Sequence, residues 1–195
     1  MINKKNLIEI IWVGRGGQGV VTAAQLTAVA ALKSGYIGVS VVPSFGAERR
    51  GAPVEAYLRL SDEKINIYST IETADFIIIL DDSLSEKIRT NSIKPGKTKI
   101  VINSIDKNKI NSLKKNQDIS EIFSIDASGI SKNLNLSVSG NIIINTTVIG
   151  AFIKALDVIE MNSLKQAFAE KFSEKSAELN YSAAERAYFE TVKIN

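Results

Sequence analysis

The chain alternates between short apolar runs and longer segments of helical composition. The first run, "LIEIIWV" (7–13), is followed by apolar runs at 75–80, 98–103 and 121–126, and by a β-branched segment at 36–43 that ends at a proline. Short apolar runs bounded by turn residues are typical of strands buried within a sheet. We therefore predict a strand at each of these places.

Two further segments have almost no charged face. Residues 20–33 and 141–156 are dominated by aliphatic side chains, and a helix that is apolar all round is buried on more than one side. The cover comes either from the rest of this chain or from another subunit. After the last predicted strand we expect helices to the end of the chain, and residues 177–192 have the three- and four-residue spacing of an amphipathic docking helix.

A pair of segments alternates apolar and polar residues. "VEAYLRL" (54–60) and "KINIYST" (64–70) flank a short polar connection, which predicts an antiparallel hairpin. The other predicted strands alternate with helices. The fold class that follows is α/β: one three-layer α/β/α, Rossmann-like domain over 1–195, with a mixed, mostly parallel sheet and a helical C-terminal part.

Composition restricts the chemistry that this chain can perform by itself. The 195 residues include neither cysteine nor histidine. The chain therefore offers no thiolate ligands for an iron–sulfur cluster, no His-ligated zinc and no Ser-His-Asp triad. Any catalysis by this chain alone would rest on carboxylates, lysine, tyrosine or serine.

Charge and hydropathy are those of a cytoplasmic protein that binds neither nucleic acid nor membrane. The net charge is +3, and the lysines concentrate in residues 106–118 without interleaved aromatic residues, which favours a solvated helix over a nucleic-acid site. The N-terminal apolar run carries Glu9 and leads into a glycine loop, which favours a first strand over a signal peptide. Polar residues interrupt every apolar run before it reaches the length of a membrane span.

The glycine loop after the first predicted strand is a candidate binding site. Gly14, Gly16 and Gly19 form G-x-G-x-x-G before an Ala-rich segment, an arrangement that presents backbone N–H groups and a helix N-terminus to an anion. Arg15 and Gln18, within the loop, are suited either to a diphosphate or to a neighbouring backbone.

A nicotinamide dinucleotide needs a further feature that this chain lacks. A dinucleotide-binding fold places an acid about 20 residues after the glycines, where it holds the ribose hydroxyls. Between Ile10 and Ala47 there is no Asp or Glu, and Arg49 and Arg50 lie too far along to replace it for NADP. The glycines alone therefore give NAD only weak support.

A second loop, "SFGAERRGAP" (44–53), is dense in charge. Glu48, Arg49 and Arg50 stand in a row beside Phe45. The loop is either an exposed turn with an internal Glu–Arg pair or a positioned arginine pair that recognises phosphate, carboxylate or the acidic group of a partner.

These blocks together resemble the gamma subunit of pyruvate:ferredoxin oxidoreductase and related 2-oxoacid:acceptor oxidoreductases. The similarity is carried by "GRGGQGVVTAAQL", "VPSFGAERRGAPVEAYLRLSDEKI", "SGNIIINTTVIGAFIKAL" and "EKFSEKSAELNYSAAERAYFE", in that order. The second block is closer to the pyruvate and ketoisovalerate branch than to the 2-oxoglutarate branch, where a glycine commonly replaces Ala52. Phe45 stands where many members have Tyr.

The resemblance implies a function for the complex and a supporting role for this chain. The family enzyme oxidatively decarboxylates pyruvate to acetyl-CoA and CO2 and reduces ferredoxin. Thiamine diphosphate, Mg²⁺ and the iron–sulfur clusters belong to other subunits, of alpha, beta and delta type. The gamma subunit is then structural, without a catalytic residue or a metal site of its own, and is a candidate for binding coenzyme A. By itself it is expected to be inactive and, with apolar helices uncovered, to self-associate.

Carried onto this sequence, the resemblance yields a set of candidate contacts to coenzyme A or to a neighbouring subunit. They are Gly14, Arg15, Gly16, Gly17, Gln18, Gly19, Arg49 and Arg50. The alternative is a stand-alone Rossmann-type oxidoreductase that binds NAD(P) or another nucleotide.

Overall fold

The computed structural model describes residues 7–44 and 50–194, and its centre is a seven-stranded mixed sheet. In chain order the strands are β1 (Ile8–Arg15), β2 (Gly38–Pro43), β3 (Pro53–Ser61), β4 (Phe76–Ile79), β5 (Thr98–Asn103), β6 (Ile119–Ile125), β7 (Ser137–Val138), β8 (Asn141–Ile142) and β9 (Val192–Ile194). The order across the sheet is β2-β3-β1-β4-β5-β6-β9, and β7 pairs with β8 in a separate hairpin.

Helices cover both faces of the sheet, as the predicted α/β class requires. They are α1 (Val20–Lys33), α2 (Lys107–Lys114), α3 (Ala127–Asn133), α4 (Asn145–Leu156), α5 (Met161–Lys171) and α6 (Glu174–Glu190). Short 3₁₀ turns follow β4 at Asp82–Lys87 and Thr90–Ser92. One face packs under α1, α3, α4, α5 and α6, and the thinner opposite layer holds α2 and the 3₁₀ turns.

Strand direction confirms the prediction of a mixed, mostly parallel sheet. β1, β4, β5 and β6 pair in parallel, whereas β3 runs against β1 and β2, and β9 runs against β6. β3 therefore separates β1 from β2. In a dinucleotide-binding fold those two strands are neighbours, so the insertion moves the end of β2 away from the glycine loop.

Of the two apolar helices, α4 is covered by its own chain, whereas α1 leaves Gln25 and Leu32 exposed. Every residue of α4 except Lys154 is buried, and the helix packs against α6, α1, β5 and β6. The Phe152 ring makes edge contacts with Trp12 and Phe76, at centroid distances of 5.5 and 5.4 Å. For α4 the cover thus comes from the rest of this chain. Self-association stays a prediction.

The predicted hairpin between 54–60 and 64–70 is wrong. Residues 54–60 lie in β3, but both edges of that strand are occupied by β1 and β2, so no edge remains for the second segment. Residues 64–70 instead run without regular structure, and side chains of the sheet bind their backbone. Ser40 donates to the Ile67 carbonyl at 3.2 Å, and Arg59 donates to the carbonyls of Ser69 and Thr70 at 2.7 and 3.2 Å.

The C-terminal part is less uniformly helical than predicted. The helix predicted from residue 141 begins at Asn145, because β7 and β8 form a hairpin around Ser139 and Gly140, whose φ angles are 49° and 78°. A dipeptide with positive φ at both positions suits a tight two-residue turn. At the other end, β9 extends the sheet by pairing with the edge of β6.

Candidate functional site

The glycine loop lies at the carboxyl end of β1, where the chain turns into α1. Gly17 and Gly19 have φ angles of 93° and 74°, a region that residues with a Cβ rarely adopt. Gly14 has no room for a side chain, since a Cβ there would lie 2.6 Å from Val20 and 3.3 Å from Leu80. These glycines are required for a tight strand-to-helix turn, as the sequence predicted.

The N-terminus of α1 has no side-chain cap and no acidic residue in its first turn. Gly19 occupies the cap position without a side-chain acceptor, and the first turn contains no acid. Within the described part of the chain, the backbone N–H groups of Val20, Val21 and Thr22 donate to no acceptor. Such groups and the helix dipole favour an anion at this end of the helix.

The side chain of Arg15 is engaged within the protein. Its Nε lies 3.1 Å from an Asp81 carboxylate oxygen, Nη1 donates to the Gly51 carbonyl at 2.9 Å, and Nη2 donates to the Ser83 hydroxyl at 2.6 Å. Arg15 therefore connects the glycine loop to the segment before β3 and to the turn after β4.

Gln18 and Asp81 complete this cluster. The Gln18 side chain accepts from the Arg15 backbone N–H at 2.8 Å and donates to Asp81 at 3.0 Å. Partial burial opposes ionisation of Asp81, but hydrogen bonds from Ser83 and Gln18 and the charge of Arg15 outweigh it and hold the Asp81 pKa below its ordinary value. Asp81 is thus a well-satisfied carboxylate, which the sequence analysis did not identify as part of the site.

The segment that carries Arg50 lies alongside the glycine loop. The Gly16 N–H donates to the Ala52 carbonyl at 2.8 Å, and the Gly51 N–H donates to the Gly16 carbonyl at 3.1 Å. The Arg50 side chain is exposed and passes over Gly17, where a Cβ would lie 3.9 Å from Arg50 Cγ. No hydrogen bond or ion pair joins its guanidinium to another residue of the described ranges. Arg49, Glu48 and Phe45 lie outside the described residues.

A cleft of about 850 Å³ opens beside the loop. Its walls are the glycine loop, Arg50, the β7–β8 hairpin and one side of α6. A second cavity of about 500 Å³ lies against the first turn of α1, with Arg50 and Val54 in its lining. Val138 and Ile142, on the hairpin, are 62% and 45% exposed. The cleft therefore combines a cationic, N–H-rich end with an apolar rim.

Buried polar side chains connect the loop to the helical layer. Asn145 Nδ2 donates to the Gly19 carbonyl at 3.2 Å, and a Cβ on Gly19 would overlap the Asn145 side chain. The Thr146 hydroxyl donates to the Asn180 carbonyl oxygen at 2.6 Å, and Asn180 donates to the Ser176 carbonyl at 2.8 Å. The floor of the cleft is therefore fixed from α4 through to α6.

The structure brings most of the predicted site residues together. The loop from Gly14 to Gly19 and Arg50 share one edge of the sheet, whereas Arg49 is outside the described residues. Sequence reasoning missed Asp81 and Asn145. Asp81 follows the buried strand β4 directly, and the carboxyl ends of neighbouring parallel strands meet at one edge of the sheet. Its position in the sequence could therefore have predicted that Asp81 lies beside the glycine loop.

The described ranges contain neither a candidate metal site nor a candidate membrane span. Within residues 7–44 and 50–194 there is no group of three or more His, Cys, Asp or Glu side chains that could hold a metal ion. No helix of these ranges combines the length and apolarity needed to cross a bilayer.

A family model and several known proteins match nearly the whole chain. Residues 9–190 match the model of the family described as pyruvate ferredoxin/flavodoxin oxidoreductase. The pyruvate/ketoisovalerate oxidoreductases common subunit gamma of Thermococcus kodakarensis is 40% identical over 188 residues, covering 95% of this chain and 98% of that protein.

Solved structures share the whole fold. The pyruvate oxidoreductase subunit PORC of Thermotoga maritima superposes with a TM-score of 0.79 at 26% identity, covering 98% of this chain and 100% of that one. The 2-oxoglutarate:ferredoxin oxidoreductase of Magnetococcus marinus, solved with 2-oxoglutarate, coenzyme A and succinyl-CoA bound, contains a similar fold. Its TM-score is 0.72 at 22% identity, over 94% of this chain and 31% of the longer one.

Proposed function

Because this chain belongs to the pyruvate ferredoxin/flavodoxin oxidoreductase family, as a gamma subunit, we propose that its glycine loop and Arg50 bind the phosphate groups of coenzyme A. The chain is a subunit of a pyruvate, or 2-oxoacid, ferredoxin oxidoreductase. The proposal concerns what this subunit contributes to that reaction.

The observation that carries the proposal is the uncapped N-terminus of α1 beside Arg50, open to a cleft of about 850 Å³. Coenzyme A has a diphosphate and a 3′-phosphate, which suit a helix N-terminus and an arginine respectively. The cleft has the size typical of sites for ligands of this class. Coenzyme A is bound in the Magnetococcus marinus enzyme, part of which has this fold, and that agrees with the proposal without locating the ligand here.

The proposed role is binding and orientation. The backbone N–H groups of Gly17, Gly19 and the first turn of α1, together with the Arg50 guanidinium, would hold the phosphates. The apolar rim at Val138 and Ile142 would border the remainder of the ligand. The thiol end of coenzyme A would then point out of this subunit, toward the reaction centres of the partner chains. Binding a remote phosphate portion to position a reacting end is a common use of binding energy.

The reaction centres are proposed to lie on partner subunits of alpha, beta and delta type. Those chains would carry thiamine diphosphate, Mg²⁺ and the iron–sulfur clusters, with ferredoxin as the electron acceptor, in a cytoplasmic complex. When bound, these groups supply decarboxylation and electron transfer. This chain has no cysteine to ligate a cluster, so any cluster of the complex needs ligands from elsewhere.

A co-purification tests the assembly. The tagged chain is expressed together with the products of its neighbouring genes and isolated under anaerobic conditions. We expect a brown, thiamine-containing complex that reduces ferredoxin when pyruvate and coenzyme A are present. A chain that is recovered alone, binds NAD(P) tightly and turns over a substrate would instead support the stand-alone alternative.

Replacement of Arg50 tests the coenzyme A site within the assembled complex. Loss of one charge-assisted phosphate contact, worth about 1.5–3 kcal/mol, predicts about a 10- to 100-fold rise in the apparent KM for coenzyme A in Arg50→Ala. The KM for the 2-oxoacid is expected to stay unchanged. Arg89→Ala is the matched control, because Arg89 is half exposed and pairs with Glu55 instead. An unchanged KM for coenzyme A in an intact Arg50→Ala complex would refute this site.

A further inference from the structure

The crevice between β1 and β4 is where an open α/β sheet usually takes its ligand. β1 leads through α1, on one face, to β2, while β4 leads through the 3₁₀ turns, on the other face, to β5. Neighbouring strands whose connections depart to opposite faces form a topological switch point, and ligands enter outside the carboxyl ends of such strands. In this chain the switch point lies between Arg15 and Asp81.

That crevice is closed by the protein's own side chains. Arg15 and Gln18 extend from the end of β1, and both bind the Asp81 carboxylate at the end of β4, at 3.1 and 3.0 Å. Asp81 also accepts from the backbone N–H and the hydroxyl of Ser83. Leu80 completes the connection through its N–H, which donates to the Val13 carbonyl at 2.8 Å.

We infer that Arg15 is a positioning residue and not a contact to the ligand. With Gln18 and Asp81 it closes the switch-point crevice and orients the glycine loop toward the cleft of about 850 Å³ beside the β7–β8 hairpin. The inference rests on the proposed coenzyme A site and specifies how that site is prepared. The three side chains are called the crevice cluster below.

The geometry of Arg15 supports this assignment. Its guanidinium contacts three separate segments, through Asp81, Ser83 and Gly51, so its donors are directed into the protein. Its charge is balanced by Asp81, whereas no described carboxylate balances Arg50. A phosphate would have to replace an existing ion pair to reach Arg15. Arg50 requires no such exchange, at least within the described residues.

Gln18 transmits the position of the cluster to the loop backbone. It accepts from the Arg15 N–H while the Gln18 N–H donates to the Arg15 carbonyl at 2.9 Å, so the turn is closed from both sides. The far end of the turn is held by Asn145 on the Gly19 carbonyl. A loop fixed at both ends presents its remaining donors in one arrangement before the ligand arrives, which lowers the entropic cost of binding.

The variant Asp81→Asn separates the positioning role from a ligand role for Arg15. If Arg15 were a phosphate contact, removing its carboxylate partner would free it, and the KM for coenzyme A would fall or stay the same. The crevice cluster predicts the opposite, a rise of about 10- to 100-fold as the loop loses its orientation. Asp118→Asn, at an exposed carboxylate in the connection before β6, is the matched control and is expected to behave as wild type.

Arg15→Lys gives a second, independent comparison. Lysine keeps the charge but has no planar fork to reach three segments, so a positioning role is lost while attraction to phosphate is retained. We expect the KM for coenzyme A to rise as in Asp81→Asn, with the KM for the 2-oxoacid unchanged. In the double variant the increases should not multiply, because both changes disable one cluster.

Amide hydrogen exchange in the assembled complex without coenzyme A makes the inference testable even if the ligand binds elsewhere. The expected result is faster exchange at residues 16–19 in Asp81→Asn and in Arg15→Lys than in wild type and Asp118→Asn. Unchanged exchange there would overturn the inference. A KM for coenzyme A that falls or stays the same in Asp81→Asn, while Arg50→Ala raises it, would also overturn the inference. A third outcome is faster exchange with a KM for coenzyme A that is unchanged in these variants and in Arg50→Ala. That outcome would keep the crevice cluster as the support of the loop and would refute the coenzyme A site.

Discussion

At the scale of single residues, the site depends on which polar groups are already paired. The glycine pattern predicts the turn at residues 14–19 because glycine is needed locally, at Gly17 and Gly19, for positive φ. The partner of Arg15 is not local. Asp81 is 66 positions away in sequence, so only the pairing of β1 with β4 brings it to Arg15. Among the described residues, no carboxylate balances Arg50 in the same way.

The ion pair also predicts a pH dependence of stability. The pKa of folded Asp81 is lowered below its ordinary value of 3.8, so the carboxylate stabilises the fold above that value and loses its effect as the pH falls through the folded pKa. Asp81→Asn should cost about 1 kcal/mol of unfolding free energy at pH 7, a modest figure because the pair is partly exposed. The difference from wild type should shrink toward zero in strongly acidic solution.

Urea denaturation of wild type and Asp81→Asn at pH 7 and near pH 3 measures this difference. Asp118→Asn serves as the control, since its exposed carboxylate makes no ion pair among the described contacts. A difference for Asp81→Asn that is as large in acid as at neutral pH would show that the carboxylate charge is not the source of the stabilisation.

At the scale of elements, strands and helices with continuous apolar runs were predictable and their partners were not. β1, β4, β5 and α4 correspond to the apolar runs of the sequence, because burial on all sides requires such runs. The alternation of apolar and polar residues in 64–70 predicted a strand that does not form, because a strand needs a free sheet edge and β3 has none. The buried Arg59, 3% exposed, instead binds the backbone of that segment.

The packing of α4 on α6 provides a prediction at this scale. A Cβ on Gly150 would overlap the Ala184 backbone carbonyl, and backbone cannot rotate away as a flexible side chain can. Gly150→Ala should therefore lower the unfolding free energy by about 1–3 kcal/mol even though alanine is the better helix former. Chemical denaturation gives this value, with Glu178→Ala, on the exposed side of α6, as the control. Equal or greater stability of Gly150→Ala would contradict the close approach of these helices.

At the scale of the whole molecule, the fold separates support from binding. Two apolar clusters, one on each face of the sheet, hold the strands, while the carboxyl edge gathers the glycine loop, Arg50, the crevice cluster and the hairpin. The fold class and the family could be predicted from sequence, since both depend on patterns along the chain. The cleft could not, because it is formed by the β7–β8 hairpin and α6, which are distant in sequence from the loop.

Amide hydrogen exchange of the assembled complex with and without coenzyme A shows whether this subunit binds the ligand. Binding at the proposed site predicts slower exchange at residues 16–22, where loop and α1 donors would be occupied, and this protection should be reduced in Arg50→Ala but kept in Arg89→Ala. Protection by coenzyme A that falls only on other subunits, with residues 16–22 unchanged, would contradict the claim that this subunit holds the ligand.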